Sequence, residues 1–88
     1  MDEVKRHLLE IPEWKLSADH KKIYREFKFK DFVRAIEFVN KVAELAEYEG
    51  HHPDVHIHYN KVVLELWTHD IGGLSENDFI LASKIDKL

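Results

Sequence analysis

The segment Val55-His56-Ile57-His58-Tyr59-Asn60-Lys61-Val62-Val63-Leu64-Glu65-Leu66-Trp67 alternates on both sides of a short polar break. Val55, Ile57 and Tyr59 fall on one side of an extended chain, and His56 and His58 on the other. After the break, Val62, Leu64 and Leu66 alternate with Val63, Glu65 and Trp67. Period-two alternation of β-branched, aliphatic and aromatic residues marks half-buried strands, so the segment through Thr68 reads as a β-hairpin. Asn60-Lys61 stands where a two-residue turn belongs, because Asn tolerates the positive φ such turns require. That turn sets Val55 opposite Leu66, Ile57 opposite Leu64 and Tyr59 opposite Val62, three apolar pairs on one face. Continued past the strand ends, the same register brings His52 near His69.

Upstream, Asp31 to Glu49 reads as one helix, with Asp31 as N-cap and Gly50 as the residue after its end. Phe32, Ile36, Val39, Ala43 and Ala46 follow helical spacing, flanked by a second apolar set, Val33, Ala35, Phe38, Val42 and Leu45. The combined arc is wider than one sheet contact needs. It predicts a helix packed on the sheet on one side and on another subunit on the other. Phe38 and Val42 are assigned to the outward side. Further upstream, Lys22 to Phe29 alternates and reads as a strand, with Ile23, Arg25, Phe27 and Phe29 on one face. Trp14 to Leu16 is expected to pair with it in a first hairpin around Ser17–His20. Asp2 to Glu10 is expected to be a short helix, stopped by Pro12, with Val4, Leu8 and Leu9 facing inward.

Downstream, Ile71-Gly72-Gly73-Leu74 reads as a loop, and Ser75 starts a last helix running to about Leu88. Ser75-Glu76-Asn77-Asp78 resembles a capping box with Asp78 at N3. The order is α-β-β-α-β-β-α. Consecutive hairpins favour an α+β two-layer sandwich, a four-stranded antiparallel sheet with the helices on one face.

The composition excludes several classes. Eighty-eight residues fit a single domain, 1–88, which at this size buries roughly 60–70% of its unfolded surface and gains from oligomerisation. Thirteen Lys+Arg against seventeen Asp+Glu leave a charge of −4, which argues against direct nucleic-acid binding. The absence of cysteine excludes a disulfide scaffold, a thiolate metal site and a cysteine nucleophile. No apolar run approaches the roughly 18–20 residues of a membrane span, and no signal peptide is visible, so a soluble cytoplasmic protein is expected.

Histidine is the abundant chemical group, with seven in the chain and five of them between positions 51 and 69. His51-His52-Pro53 precedes the second hairpin, His69 follows it, and Asp78 sits about one turn into the last helix. If the hairpin register holds, these groups converge at one end of the sheet. Imidazole titrates near pH 6.5 and both gives and takes protons at neutral pH. Two or three imidazoles with a carboxylate suit general acid–base catalysis, worth roughly 10²–10⁴ in rate. No phosphate-cradling glycine loop, dinucleotide fingerprint or nucleophile elbow is present. His56 is expected to pair with Glu65 rather than hold a metal, and His7 and His20 are expected on the surface.

The spacing Glu47-x-x-x-His51-His52-Pro53, five residues, Tyr59, nine residues, His69, eight residues, Asp78 resembles the signature of the pterin-4a-carbinolamine dehydratases, also known through a dimerisation cofactor of a homeodomain transcription factor. Tyr59-Asn60-Lys61-Val62, Thr68-His69-Asp70, Gly73-Leu74-Ser75, Leu81-Ala82-Ser83, Trp14 and Phe27-Lys28-Phe29-Lys30-Asp31-Phe32 extend the resemblance over nearly the whole chain. It implies dehydration of a 4a-hydroxytetrahydropterin to quinonoid dihydropterin and water, with no metal or organic cofactor. By position, His51 and His69 carry the acid–base chemistry and His52 binds and orients the pterin. Asp78 orients a histidine or contacts the ring, Pro53 shapes the pocket, Trp14 lines it and Glu47 holds His51 or His52. The resemblance also implies homodimers or homotetramers through the 31–49 helix and sheet edges. A non-catalytic oligomerisation or assembly module on the same scaffold is the alternative. Gly50 stands where Asn or Asp is common, and Val55 and His56 replace larger residues of the animal proteins; no signature residue is lost.

Overall fold

A computed structural model of the chain describes residues 2–88. Its elements are α1 (Asp2–Glu10), β1 (Lys15–Leu16), β2 (Ile23–Lys28), α2 (Phe32–Glu49), β3 (Asp54–His58), β4 (Lys61–Leu66), a 3₁₀ turn at His69–Ile71 and α3 (Glu76–Ile85). The sheet is antiparallel throughout in the order β1-β2-β4-β3, so β2 and β4 lie at its centre. The expected α+β architecture and element order are those observed.

One face of the sheet carries the core. Ile23 pairs with Leu66, Arg25 with Leu64 and Phe27 with Val62, so their side chains share a face. Ile23, Val62, Leu64 and Leu66 are fully buried there, against Ala35 and Val42 of α2 and Phe79, Leu81, Ala82 and Ile85 of α3. Arg25 is the one charge on this face. Its guanidinium reaches Asp86, just past α3, at 2.7 Å and lies 4.4 Å from the Phe27 ring centroid. The same Asp86 oxygen accepts from Trp14 Nε1 at 2.8 Å.

The second hairpin differs from expectation by two residues. Val55 faces Leu64, Ile57 faces Val62 and His58 faces Lys61, so the turn is Tyr59-Asn60. A shift of two preserves the faces, which is why the apolar pattern alone does not discriminate the registers. Tyr59 takes the positive φ, +53°, and Asn60 is used elsewhere. Its backbone oxygen accepts from Phe29 N–H at 2.8 Å, and its side-chain amide donates to Phe29 oxygen at 3.0 Å. His56 and Glu65 do pair, diagonally across the ladder, at 3.0 Å. As the edge strand, β3 leaves Val55 and Ile57 partly exposed.

Three apolar positions also depart from expectation. In α2, Asp31 caps the helix by accepting from Arg34 N–H at 2.9 Å, as its position suggests. The buried stripe, however, is Ala35, Val42 and Ala46, with Phe38, Val39 and Leu45 packed beside it. Phe38 is therefore inward, its ring 4.6 Å from Phe27 and 5.0 Å from Phe29, and Val42 is inward with it. Phe32 and Val33, 48% and 56% exposed, are the outward residues. Leu9 is 80% exposed, because Val4 and Leu8 already form the inward line of α1 and residue 9 is turned about 100° from residue 8. His7 is half-buried rather than free, stacked on Phe79 at 4.8 Å. The last helix closes three residues early, at Ile85, and Lys87 and Leu88 bond back to Lys84 and Ile85 as a tight turn.

Leu64→Ala is expected to cost about 2–5 kcal/mol in urea denaturation, and Leu9→Ala less than about 0.5 kcal/mol. Equal losses would contradict this division of inside from outside.

Candidate active site

The site begins where α2 ends. Gly50 adopts the left-handed conformation, φ +67°, and its N–H bonds to Ala46 oxygen. A Cβ there would meet nothing within 4 Å, so the backbone angle rather than space calls for glycine. His51 N–H also reaches Ala46 oxygen, at 3.2 Å. This reversal turns His51 and His52 across the end of the sheet toward the chain leaving β4.

That chain is closed on itself. Thr68 N–H donates to Gly73 oxygen at 2.7 Å and Gly73 N–H to Thr68 oxygen at 3.3 Å. His69, Asp70 and Ile71 fill the loop between as one 3₁₀ turn, ended by Gly72 at φ +61°. Where the sequence suggests only a glycine loop, the chain forms a braced turn with His69 at its start.

Asp78 joins the two segments. It is completely buried. One carboxylate oxygen contacts His51 Nε2 at 2.5 Å. The other accepts from Thr68 Oγ1 and from Ser75 N–H, each at 2.9 Å. Burial of an unpaired carboxylate would cost several kcal/mol, and three donors offset that cost. The Ser75 bond is the N3-to-N-cap half of a capping box, so Asp78 starts α3 and anchors His51 at once. Because the Thr68 hydroxyl hydrogen goes to Asp78, Ser75 Oγ donates to Thr68 in their 2.6 Å contact. A carboxylate only accepts, so Nε2 of His51 carries its proton and Nδ1 holds the lone pair of the neutral ring.

His52 is more open and pairs through Nε2 with Glu47 on the last turn of α2. His69 is exposed, and its ring stacks on Trp67 with centroids 3.9 Å apart and planes 21° from parallel. Gly50, His51, His52, Thr68, His69 and Asp70 line one cavity of about 340 Å³. That is within the range of about 300–1,000 Å³ typical of small-molecule sites. Three imidazoles facing one small cavity, one of them fixed by a buried carboxylate, can give protons to and take them from a small molecule bound there.

The remaining candidates fall around this centre. Glu47 touches His52, and Pro53 is half-buried in the link to β3. Trp14 does not line the cavity: it is 3% exposed in the core, against Phe27 and bonded to Asp86. Tyr59 sits at the far end of the hairpin. Thr68, Asp70 and Trp67 are additions. Thr68 and Asp70 flank His69 in sequence, and Trp67 shares its side of an extended chain. Among the described residues, no group of three or more His, Asp or Glu is placed to hold a metal ion. None of the described helices is long and apolar enough to cross a membrane.

The family model for pterin 4 alpha carbinolamine dehydratase matches residues 1–88. The chain belongs to the pterin-4a-carbinolamine dehydratase family. The family's named activity is that of a hydro-lyase. A Halorhodospira halophila protein classed with these dehydratases is 52% identical over 81 residues, covering 92% of this chain and 74% of its own. The crystal structure of a transcriptional coactivator/pterin dehydratase from Brucella melitensis matches with a TM-score of 0.92 at 35% identity, covering 98% of this chain and 92% of that one. A pterin dehydratase-like protein identified as a RuBisCO assembly factor in the alpha-carboxysome shares the fold, with a TM-score of 0.73 at 20% identity over 85% of this chain and 87% of its own.

Asp78→Ala would strand three part-buried donors and is expected to cost about 3 kcal/mol by denaturant unfolding. The NMR signals of His51 should broaden as its ring loses its anchor. A variant as stable as the parent would mean that the carboxylate is dispensable.

Proposed function

We propose that this chain dehydrates a 4a-hydroxytetrahydropterin, with His51 and His69 as the acid–base pair. The observation that carries the reading is the meeting of His51, His52 and His69 on one cavity, with His51 bonded to buried Asp78. In the reaction the C4a–oxygen bond breaks and a proton delivered to the departing hydroxyl releases water. A ring nitrogen gives up its proton, and that N–H electron pair forms the new C=N bond of the quinonoid dihydropterin. One imidazole delivers and the other removes. His52, held by Glu47, binds and orients the pterin, and Pro53 shapes the turn that carries both histidines. Asp78 acts through His51 by fixing which ring nitrogen bears the proton. The chemistry needs no redox step and no organic cofactor.

The same reading includes self-association. Phe32, Val33 and the half-buried Ile36 leave an apolar strip on the outer side of α2, and Val55 and Ile57 lie partly exposed on the edge strand. Such a strip on an 88-residue chain fits a homo-oligomer built through α2 and the sheet edge. The fold shared with the carboxysome protein supports the alternative of an assembly module without catalysis. The complete set His51, His52, His69 and Asp78 favours the enzyme, since a scaffold alone has no use for it.

His51→Ala and His69→Ala are each expected to lower the dehydration of freshly generated 4a-hydroxytetrahydropterin by roughly 10²–10⁴, with circular dichroism unchanged. Wild-type turnover in both variants would remove the histidine mechanism. Wild-type protein that leaves the spontaneous rate unchanged would shift the reading to assembly. Phe32→Asp together with Val33→Asp should move the sedimentation profile to smaller species, and an unmoved profile would exclude the outer strip of α2 as the contact.

A further inference from the structure

The three cavity histidines are held in different ways. His51 bonds to Asp78 and His52 to Glu47. Among the described residues, the His69 side chain makes no hydrogen bond. It rests on the Trp67 indole, centroid to centroid 3.9 Å and 21° from parallel. That indole is itself pinned. Its Nε1 donates to Asp54 Oδ2 at 2.9 Å, and Lys22 Nζ lies 5.4 Å from its ring centroid. Trp67 follows the end of β4 and Asp54 opens β3, so the bond ties His69 to the strand entered directly from His51-His52-Pro53.

We propose that Trp67, locked by Asp54, is the positioning residue for His69 in the dehydration reaction. The inference rests on the dehydratase reading above. An exposed imidazole on a loop samples several rotamers, and proton transfer needs one of them. A parallel indole face restricts the ring to a single plane without occupying either nitrogen, so both stay free for substrate. Aromatic pairing supplies the attraction, and the Asp54 bond keeps the indole from turning with it. Trp67 touches no reacting atom; it acts through His69.

The test compares wild type, Trp67→Leu, Trp67→Phe, Asp54→Leu, Asp54→Asn and His69→Ala in the 4a-hydroxytetrahydropterin dehydration assay, with histidine NMR on each. Trp67→Leu should lower kcat by about ten- to a hundredfold with KM nearly unchanged, as expected when a catalytic group loses its alignment. The His69 ring protons, identified by their loss in His69→Ala, should move downfield once the indole ring current is gone. Trp67→Phe should fall between wild type and Trp67→Leu, because it keeps an aromatic face but not the N–H. Asp54→Asn, which still presents an acceptor to Nε1, should recover most of what Asp54→Leu loses. Should Trp67→Leu fail to fold, the Asp54 pair carries the comparison alone. A folded Trp67→Leu with wild-type kcat, or one that raises KM alone, overturns the proposal while the dehydratase reading stands. Wild-type protein without activity overturns that reading first and the proposal with it.

Discussion

A carboxylate sealed from water must find all its hydrogen bonds nearby, and Asp78 finds them on three separate pieces of chain. His51 comes from the end of α2, Thr68 from the exit of β4, and the Ser75 N–H from the start of α3. Each partner constrains its own segment. The carboxylate therefore fixes the distance between the histidine pair and the turn that bears His69, and it sets where α3 begins. The same group that stabilises the helix start holds a ring of the cavity. Structural and chemical demands on residue 78 cannot be separated, because the cost of leaving the charge unpaired falls on both.

A second acidic residue does comparable work at the other end of α3. Asp86 gathers Trp14 and Arg25, so the segment between α1 and β1, the central strand β2 and the end of the last helix meet at one oxygen. Between the two carboxylates α3 lays Phe79, Leu81, Ala82 and Ile85 on the core. The helix is clamped at both ends and packed between them. His51 thus hangs from a rigid element, although it lies on a connecting turn itself.

Much of this was legible in the residues. Alternation placed β2, β3 and β4, the caps Asp31 and Gly50 bounded α2, and the Ser75–Asp78 spacing marked α3. A grouping of His51, His52 and His69 is expected from a hairpin between them, although the register used for it is two residues from the one observed. What escaped has physical causes. The wide apolar arc of α2 has no intrinsic inner side, since Phe32 and Phe38 look alike until the rings of Phe27 and Phe29 select Phe38. The family resemblance points Trp14 toward the pocket, yet a buried indole needs an acceptor, and the one it uses is 72 residues away. Leu9 falls outside because Val4 and Leu8 already form the inward line of α1, a choice its apolar side chain does not reveal. The Trp67–His69 stack was within reach, because residues two apart on an extended chain share a side.

The Tyr59-Asn60 turn has a consequence at the opposite end of its hairpin. The pleat cannot tell a ladder from one slid by two residues, so the apolar pairs leave both arrangements open. Asn60 breaks the tie by clasping Phe29 with two hydrogen bonds, at about 0.5–1.5 kcal/mol each. A slide of two residues would carry β3 about 6.7 Å along β4, and His51 and His52 with it. That is more than the width of an imidazole ring. The placement of the cavity histidines along β4 thus depends on an amide that lies a full strand length away from them.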